Sequence, residues 1–184
     1  TSLSDTLDTF YQHYATVHQI KQGRWGDKTP LNTFYVYHIR AVFPDAKFVH
    51  IRRDPFDTIS SYLNSGIYTD LEEAMYRWFD SIILLKAFSK SFPHSIIEIN
   101  YEDLVNSPVE VTKNICDFLE INFETAMLGV GLDVERLGDV SSLQHHQNVK
   151  KPIDNNSIGK GKKNLTIQQV KKINRFLTKN SIYI

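Results

Sequence analysis

A chain of 184 residues with 21 basic and 21 acidic side chains, 41% hydrophobic and 12% aromatic residues, carries enough apolar content for a packed core and too much for a disordered or collagen-like chain. Its one cysteine, Cys116, excludes an internal disulfide scaffold and a thiolate zinc site, and suits a reducing, cytoplasmic setting. No apolar run approaches the roughly 20 residues that cross a bilayer, and the opening TSLSDTLDTF reads as neither a signal nor a transit peptide, so no membrane span is expected.

In chain order, Leu7, Phe10, Tyr11, Tyr14 and Val17 recur at helical spacing and predict a helix over 5–20, broken by Gly23 and Gly26. After Pro30, the residues Leu31, Phe34, Tyr35, His38, Ile39 and Val42 predict the inward stripe of a second helix that stops at Phe43-Pro44. Lys47 to Arg52 reads as a short strand. A helix should start directly after it, with Asp54 as N-cap, Pro55 in the first position and Asp57 in the third. Thr69 and Glu72 suggest a capping box for a long helix with Leu71, Ala74, Met75, Trp78, Ile82 and Leu85 inward. A second strand is expected over Ser95–Ile99, then a helix capped by Ser107 and Glu110 with Pro108 in its first turn. After a poorly patterned stretch over 123–165, Thr166 and Gln169 cap a last helix carrying Val170, Ile173 and Phe176. Long helices around few short strands make an α/β, helix-rich fold in one domain over 1–184.

The zero net charge hides an uneven distribution. Residues 98–139 hold ten acids and two bases, whereas residues 144–184 hold one acid and nine bases. A cationic tail of this kind is ordinarily a solvated face, and it favours an anionic ligand only where a motif says so. One place does. Arg52 and Arg53 end a strand just before a helix start, where open α/β sheets bind phosphates, and Ser61 lies about two turns further on, its side chain leaning back toward that end. The plain reading of the same residues is an arginine paired with Asp54 or Asp57 and an ordinary helix serine.

The segment Phe48-Val49-His50-Ile51-Arg52-Arg53-Asp54-Pro55, with Asp57 and Ser61 following, resembles the 3′-phosphate-binding segment of sulfotransferases that use 3′-phosphoadenosine 5′-phosphosulfate (PAPS). Three further segments agree in order: Trp25-Gly26-Asp27-Lys28-Thr29-Pro30, Tyr101-Glu102-Asp103-Leu104 with Ser107-Pro108, and Asn156 through Lys163 leading to Leu165. Together they span roughly residues 24–175 and look similar to bacterial sulfotransferases, including those of polyketide and olefin synthases. The resemblance implies a P-loop NTPase-like sulfotransferase fold with a short central parallel sheet, using PAPS as sulfuryl donor with no metal. It implies that Arg53 and Ser61 grip the 3′-phosphate, and that Ser157, Ile158, Gly159, Lys160, Gly161 and Lys162 form a loop over the nucleotide, with Lys163 beside it. Asp27 falls at the family's acid, proposed there as catalytic base, and Lys28 at its lysine near the transferred group. His145 and His146 precede the loop where related enzymes carry a histidine proposed to activate a hydroxyacyl substrate. A histidine titrates near working pH and suits a base better than an unperturbed aspartate. Without the resemblance, Lys28, the two histidines and the lysine-rich loop read as surface, and His50 as a satisfied core histidine.

One departure stands out. The family's first strand and its Pro-Arg/Lys-Ser-Gly-Thr-Thr loop, which holds the 5′-phosphosulfate, have no counterpart here. The resemblance therefore implies the C-terminal portion of a larger domain, either inactive alone or completed by an N-terminal fragment or second subunit. The expected partner is a hydroxyl-bearing acceptor, carrier-bound or not, with no nucleic acid. Two alternatives stay open: a non-catalytic nucleotide-binding or assembly module, and a nucleotide-dependent kinase, the latter disfavoured by the lack of Gly-x-x-x-x-Gly-Lys-Ser/Thr.

Overall fold

The computed structural model describes residues 2–19, 23–128 and 155–181. Its sheet, among these residues, has two parallel strands: β1 (Phe48–Arg52) and β2 (Ile96–Asn100), in register from Phe48 opposite Ile96 to Arg52 opposite Asn100. Parallel neighbours need a long crossover, and two helices supply it, α3 (Pro55–Asn64) and α4 (Leu71–Ser91). Both strands lie within a residue of their predicted bounds.

The first helix, α1 (Leu3–Val17), is capped by Ser2 in a box with Asp5. Its predicted inward residues Phe10, Tyr14 and Val17 stay exposed, contrary to the periodicity. Leu7 and Tyr11 of that stripe are half-buried, the Tyr11 ring stacked 3.9 Å from Trp25, while Trp25 Nε1 donates to Asp8 at 2.9 Å. The predicted helix after Pro30 divides: a 3-10 turn covers Pro30–Tyr35 and α2 covers Val36–Val42. Three residues per turn rotate the stripe out of phase, so Val36 is buried while Leu31, Tyr35 and His38 face outward.

α4 is capped by Asp70 rather than Thr69. The Asp70 Oδ1 accepts the amides of Glu72 and Glu73 at 2.8 and 3.0 Å, satisfying two orphan donors with an anion at the positive end of the helix. The Ser107–Glu110 box of α6 (Pro108–Leu119) does not form either. Ser107 instead closes α5 (Tyr101–Asn106) through its own amide, 2.8 Å from the Asp103 carbonyl, and Pro108 alone starts α6. One short turn, α7 (Gly161–Asn164), leads to α8 (Ile167–Lys179), whose Thr166–Gln169 box forms as predicted.

Two apolar clusters hold these pieces. One joins Phe56 and Ile59 of α3, Ala74, Met75 and Trp78 of α4, and Leu165, Ile173 and Leu177 around α8. The other joins Val36, Leu85, Phe88 and Ile96 beneath the sheet. The opposite side of β1 is open, with Val49 37% and Ile51 49% exposed. No helix among the described residues is long and apolar enough to cross a membrane.

Candidate nucleotide site

β1 delivers Arg53 to the mouth of the β1–α3 turn, and three contacts fix it there. Trp78 Nε1 donates to the Arg53 carbonyl at 3.2 Å, the Tyr101 ring lies 4.7 Å under the guanidinium, and Arg53 Nη2 donates to the Ser157 carbonyl at 2.5 Å. The Asp57 carboxylate stands 3.7 Å away, so the plain reading of Arg53 as an ion-paired residue is realised in part, through Asp57 and not Asp54. Nε of Arg53 is buried with no hydrogen-bond partner among the described residues, leaving one donor of the fork unused.

Asp54 has other work. Its carboxylate accepts the Asp57 amide at 3.0 Å as the predicted N-cap, and its own amide donates to Glu102 at 3.0 Å. The start of α3 is thus already supplied with a carboxylate.

The loop over 155–160 lies against α3 and is pinned by Asp57. That side chain is 1% exposed, and its two oxygens accept the amides of Gly159 at 2.8 Å and Gly161 at 2.5 Å. The glycines serve this docking. Gly159 takes φ +71°, and a Cβ on Gly161 would collide with the Phe56 backbone. Both glycine amides are thus spent on Asp57.

Two cavities flank Arg53. One, of about 380 Å³, is lined by Arg53, Asp57, Ser60, Ser61, Ser157, Lys160 and Gly161 among others. It brings together Arg53 and Ser61, the pair singled out by spacing, and adds Ser60, which spacing did not single out. The other, of about 410 Å³, lies between Arg52, Arg53, Trp78, Asn100, Glu102, Ile158, Gly159 and Lys162. Lys162 also sits 4.5 Å from the Phe56 ring.

The remaining candidates are elsewhere. Asp27 lines neither cavity. Its carboxylate accepts from Asn32 at 2.5 Å and Thr29 at 3.4 Å, and it bonds the Tyr11 phenol, whose pKa is raised first by burial and then by Asp27. Lys28 is exposed and lines neither cavity. His145 and His146 lie outside the described residues. His50 is partly buried, with Nδ1 3.2 Å from Glu98 across the strand pair, and burial lowers its pKa against the opposing pull of that carboxylate. Asp57 and Trp78 are the residues whose site role sequence reasoning missed. Asp57 looks like any first-turn acid, because its partners lie about a hundred residues away.

Residues 2–125 match the sulfotransferase family, and the chain belongs to it. The chain is 25% identical over 130 residues to a putative protein-tyrosine sulfotransferase of Caenorhabditis elegans, covering 67% of this chain and 50% of that protein. It is 31% identical over 111 residues to an uncharacterised protein of Aquifex aeolicus, covering 55% of this chain and 15% of the other. This chain thus spans half or less of the length of those relatives. Among solved structures, the sulfotransferase domain from the curacin biosynthetic pathway superposes with a TM-score of 0.66 at 21% identity, covering 93% of this chain and 67% of that one. The sulfotransferase domain from the Synechococcus PCC 7002 olefin synthase gives 0.65 at 23% identity, covering 92% and 63%. The helix-rich fold with its short parallel sheet is the sulfotransferase fold.

Proposed function

We propose that this chain forms the part of a sulfotransferase that holds the nucleotide end of PAPS, for transfer of a sulfuryl group to an acceptor hydroxyl. The observation that carries the reading is the shared cavity of Arg53 and Ser61, with Ser157 and Lys160 on the same walls. Its chemistry fits a phosphate monoester: two cations, several hydroxyls and one carboxylate, Asp57, which is turned to backbone amides. When bound, the nucleotide supplies an activated sulfuryl group. The chain's own residues bind and orient it, through Arg53, Ser61 and Lys160 in one cavity and through Ile158, Gly159 and Lys162 in the other.

For the acceptor, we assign proton removal to His145 or His146, since imidazole titrates near neutral pH. Asp27 holds α1 to the 3-10 turn through its three hydrogen-bond partners, and Lys28 is the cation nearest to it in sequence. A relative is named for protein tyrosine, whose hydroxyl is phenolic; for this chain the acceptor group is a hydroxyl, whatever carries it. The completing element is a strand added along the edge of β1 that pairs no other described strand, carrying the 5′-phosphosulfate loop. A cytoplasmic setting goes with this reading.

Calorimetric titration with adenosine 3′,5′-bisphosphate tests it, on the wild type and on Arg53→Ala. Specific binding that the substitution removes is the expected result. Absence of binding, even with an N-terminal fragment of the family present, overturns the proposal.

A further inference from the structure

We infer that Asp57 is a positioning residue of the nucleotide site, acting through the loop it pins and not through its charge. This rests on the reading above for what the site binds, but the geometry stands alone. The carboxylate is almost wholly buried, and its oxygens accept the amides of Gly159 and Gly161 at 2.8 and 2.5 Å. Burying a carboxylate is costly unless hydrogen bonds compensate it, and these two amides, with the Arg53 guanidinium at 3.7 Å, are the compensation.

The consequence is a fixed loop path. Ser157 and Lys160 reach the Arg53–Ser61 cavity only because the backbone on either side of Gly159 is tied to the first turn of α3. Gly161 sits against the Phe56 backbone so closely that a side chain is excluded, and Leu165, four residues on, is buried in the core. Two anchors, one polar and one apolar, therefore bracket Lys160. The Ser157 carbonyl, held by the same arrangement, accepts from Arg53 Nη2 at 2.5 Å and so aims the guanidinium as well.

Charge and position predict opposite signs for one substitution. Asp57→Asn removes a negative charge beside an anion site, which by Coulomb attraction alone tightens binding of the bisphosphate, most at low salt. It also replaces one amide-accepting oxygen by an NH2 group that cannot accept, which releases part of the loop. If position governs, the affinity for adenosine 3′,5′-bisphosphate falls about tenfold or more at both low and high salt, the loss of a charge-assisted hydrogen bond. In the same variant the Gly159 and Gly161 amides exchange with solvent at least about tenfold faster, while the amides of α8 are unchanged.

Affinity equal to or tighter than wild type, or unaltered exchange at the two glycines, overturns the inference. The wild type alone gives a second arm: both amides must be protected like those of α3, and exchange at the rate of an open loop also overturns it, even if Asp57→Asn does not fold. A wild type that binds no bisphosphate defeats the nucleotide reading, and the exchange measurement still decides the role of Asp57.

Discussion

At Arg53 several groups converge on one guanidinium: the Ser157 carbonyl, the Asp57 carboxylate and the Tyr101 ring, with Nε left over. A planar fork suits this position and a point charge does not, so Arg53→Lys is expected to lose most of the bisphosphate affinity despite keeping its charge. Removing the side chain in Arg53→Ala should cost about 1.5–3 kcal/mol of binding, roughly 10- to 100-fold in Kd by titration. Spacing placed Arg53 and Ser61 near one another, because strand end, turn and helix fix their separation locally, and the family resemblance, not the spacing, singled them out as a phosphate pair. Asp57 was not, since a carboxylate at the third position of a helix signals capping and nothing in its neighbourhood announces the glycines that reach it from residues 159 and 161. His50 gives a pH signature at the same scale. Burial holds its folded pKa below 6.5, so the unfolded chain takes the proton first as the solution is acidified. Stability from this group is present above about pH 6.5 and is lost as pH falls below it. His50→Gln should therefore lose less stability than wild type between about pH 7.5 and pH 5.5 in urea unfolding, and identical slopes would contradict the assignment.

Among the elements, the ends of helices separate what local sequence can and cannot say. Asp54 and Thr166 cap as their spacing predicts, because a cap needs only its own first turn. Thr69 and Asp70 are adjacent and both fit the pattern, and the choice falls to the residue whose oxygen reaches two amides. Asp70→Ala is expected to cost about 1 kcal/mol in chemical denaturation and Thr69→Ala close to nothing. The α1 stripe misled for a different reason. Periodicity reports an amphipathic face, but what covers that face depends on partners elsewhere, and here Trp25 and Asp27 engage Tyr11 while Phe10, Tyr14 and Val17 stay exposed. The phase error after Pro30 comes from a 3-10 turn, which no side-chain pattern distinguishes from the start of an α-helix. At the loop, Gly161→Ala should undock residues 155–160 and weaken bisphosphate binding while leaving α4 and α8 folded. Its Cβ collides with the Phe56 backbone, which cannot move aside. Amide exchange in the variant checks this.

For the whole molecule, the charge asymmetry now has a location. Residues 155–181 contain seven cations and no acid, and two of them, Lys160 and Lys162, line the cavities beside Arg53. Lys172 pairs with Glu72 at 2.5 Å and helps seat α8 on α4. The strand–helix–helix–strand crossover was legible in outline, because α/β order follows from alternating patterns. The pairing of loop and helix was not, as it depends on contacts across most of the chain.

The central claim is that the Arg53–Ser61 cavity recognises the 3′-phosphate of an adenine nucleotide. The most direct measurement compares, by calorimetry, adenosine 3′,5′-bisphosphate with adenosine 5′-monophosphate on the wild type and on Arg53→Ala. Wild type is expected to bind the bisphosphate at least about tenfold tighter, and the variant no longer to distinguish the two. Equal affinity of the wild type for both nucleotides, or a preference that survives the loss of Arg53, would contradict it.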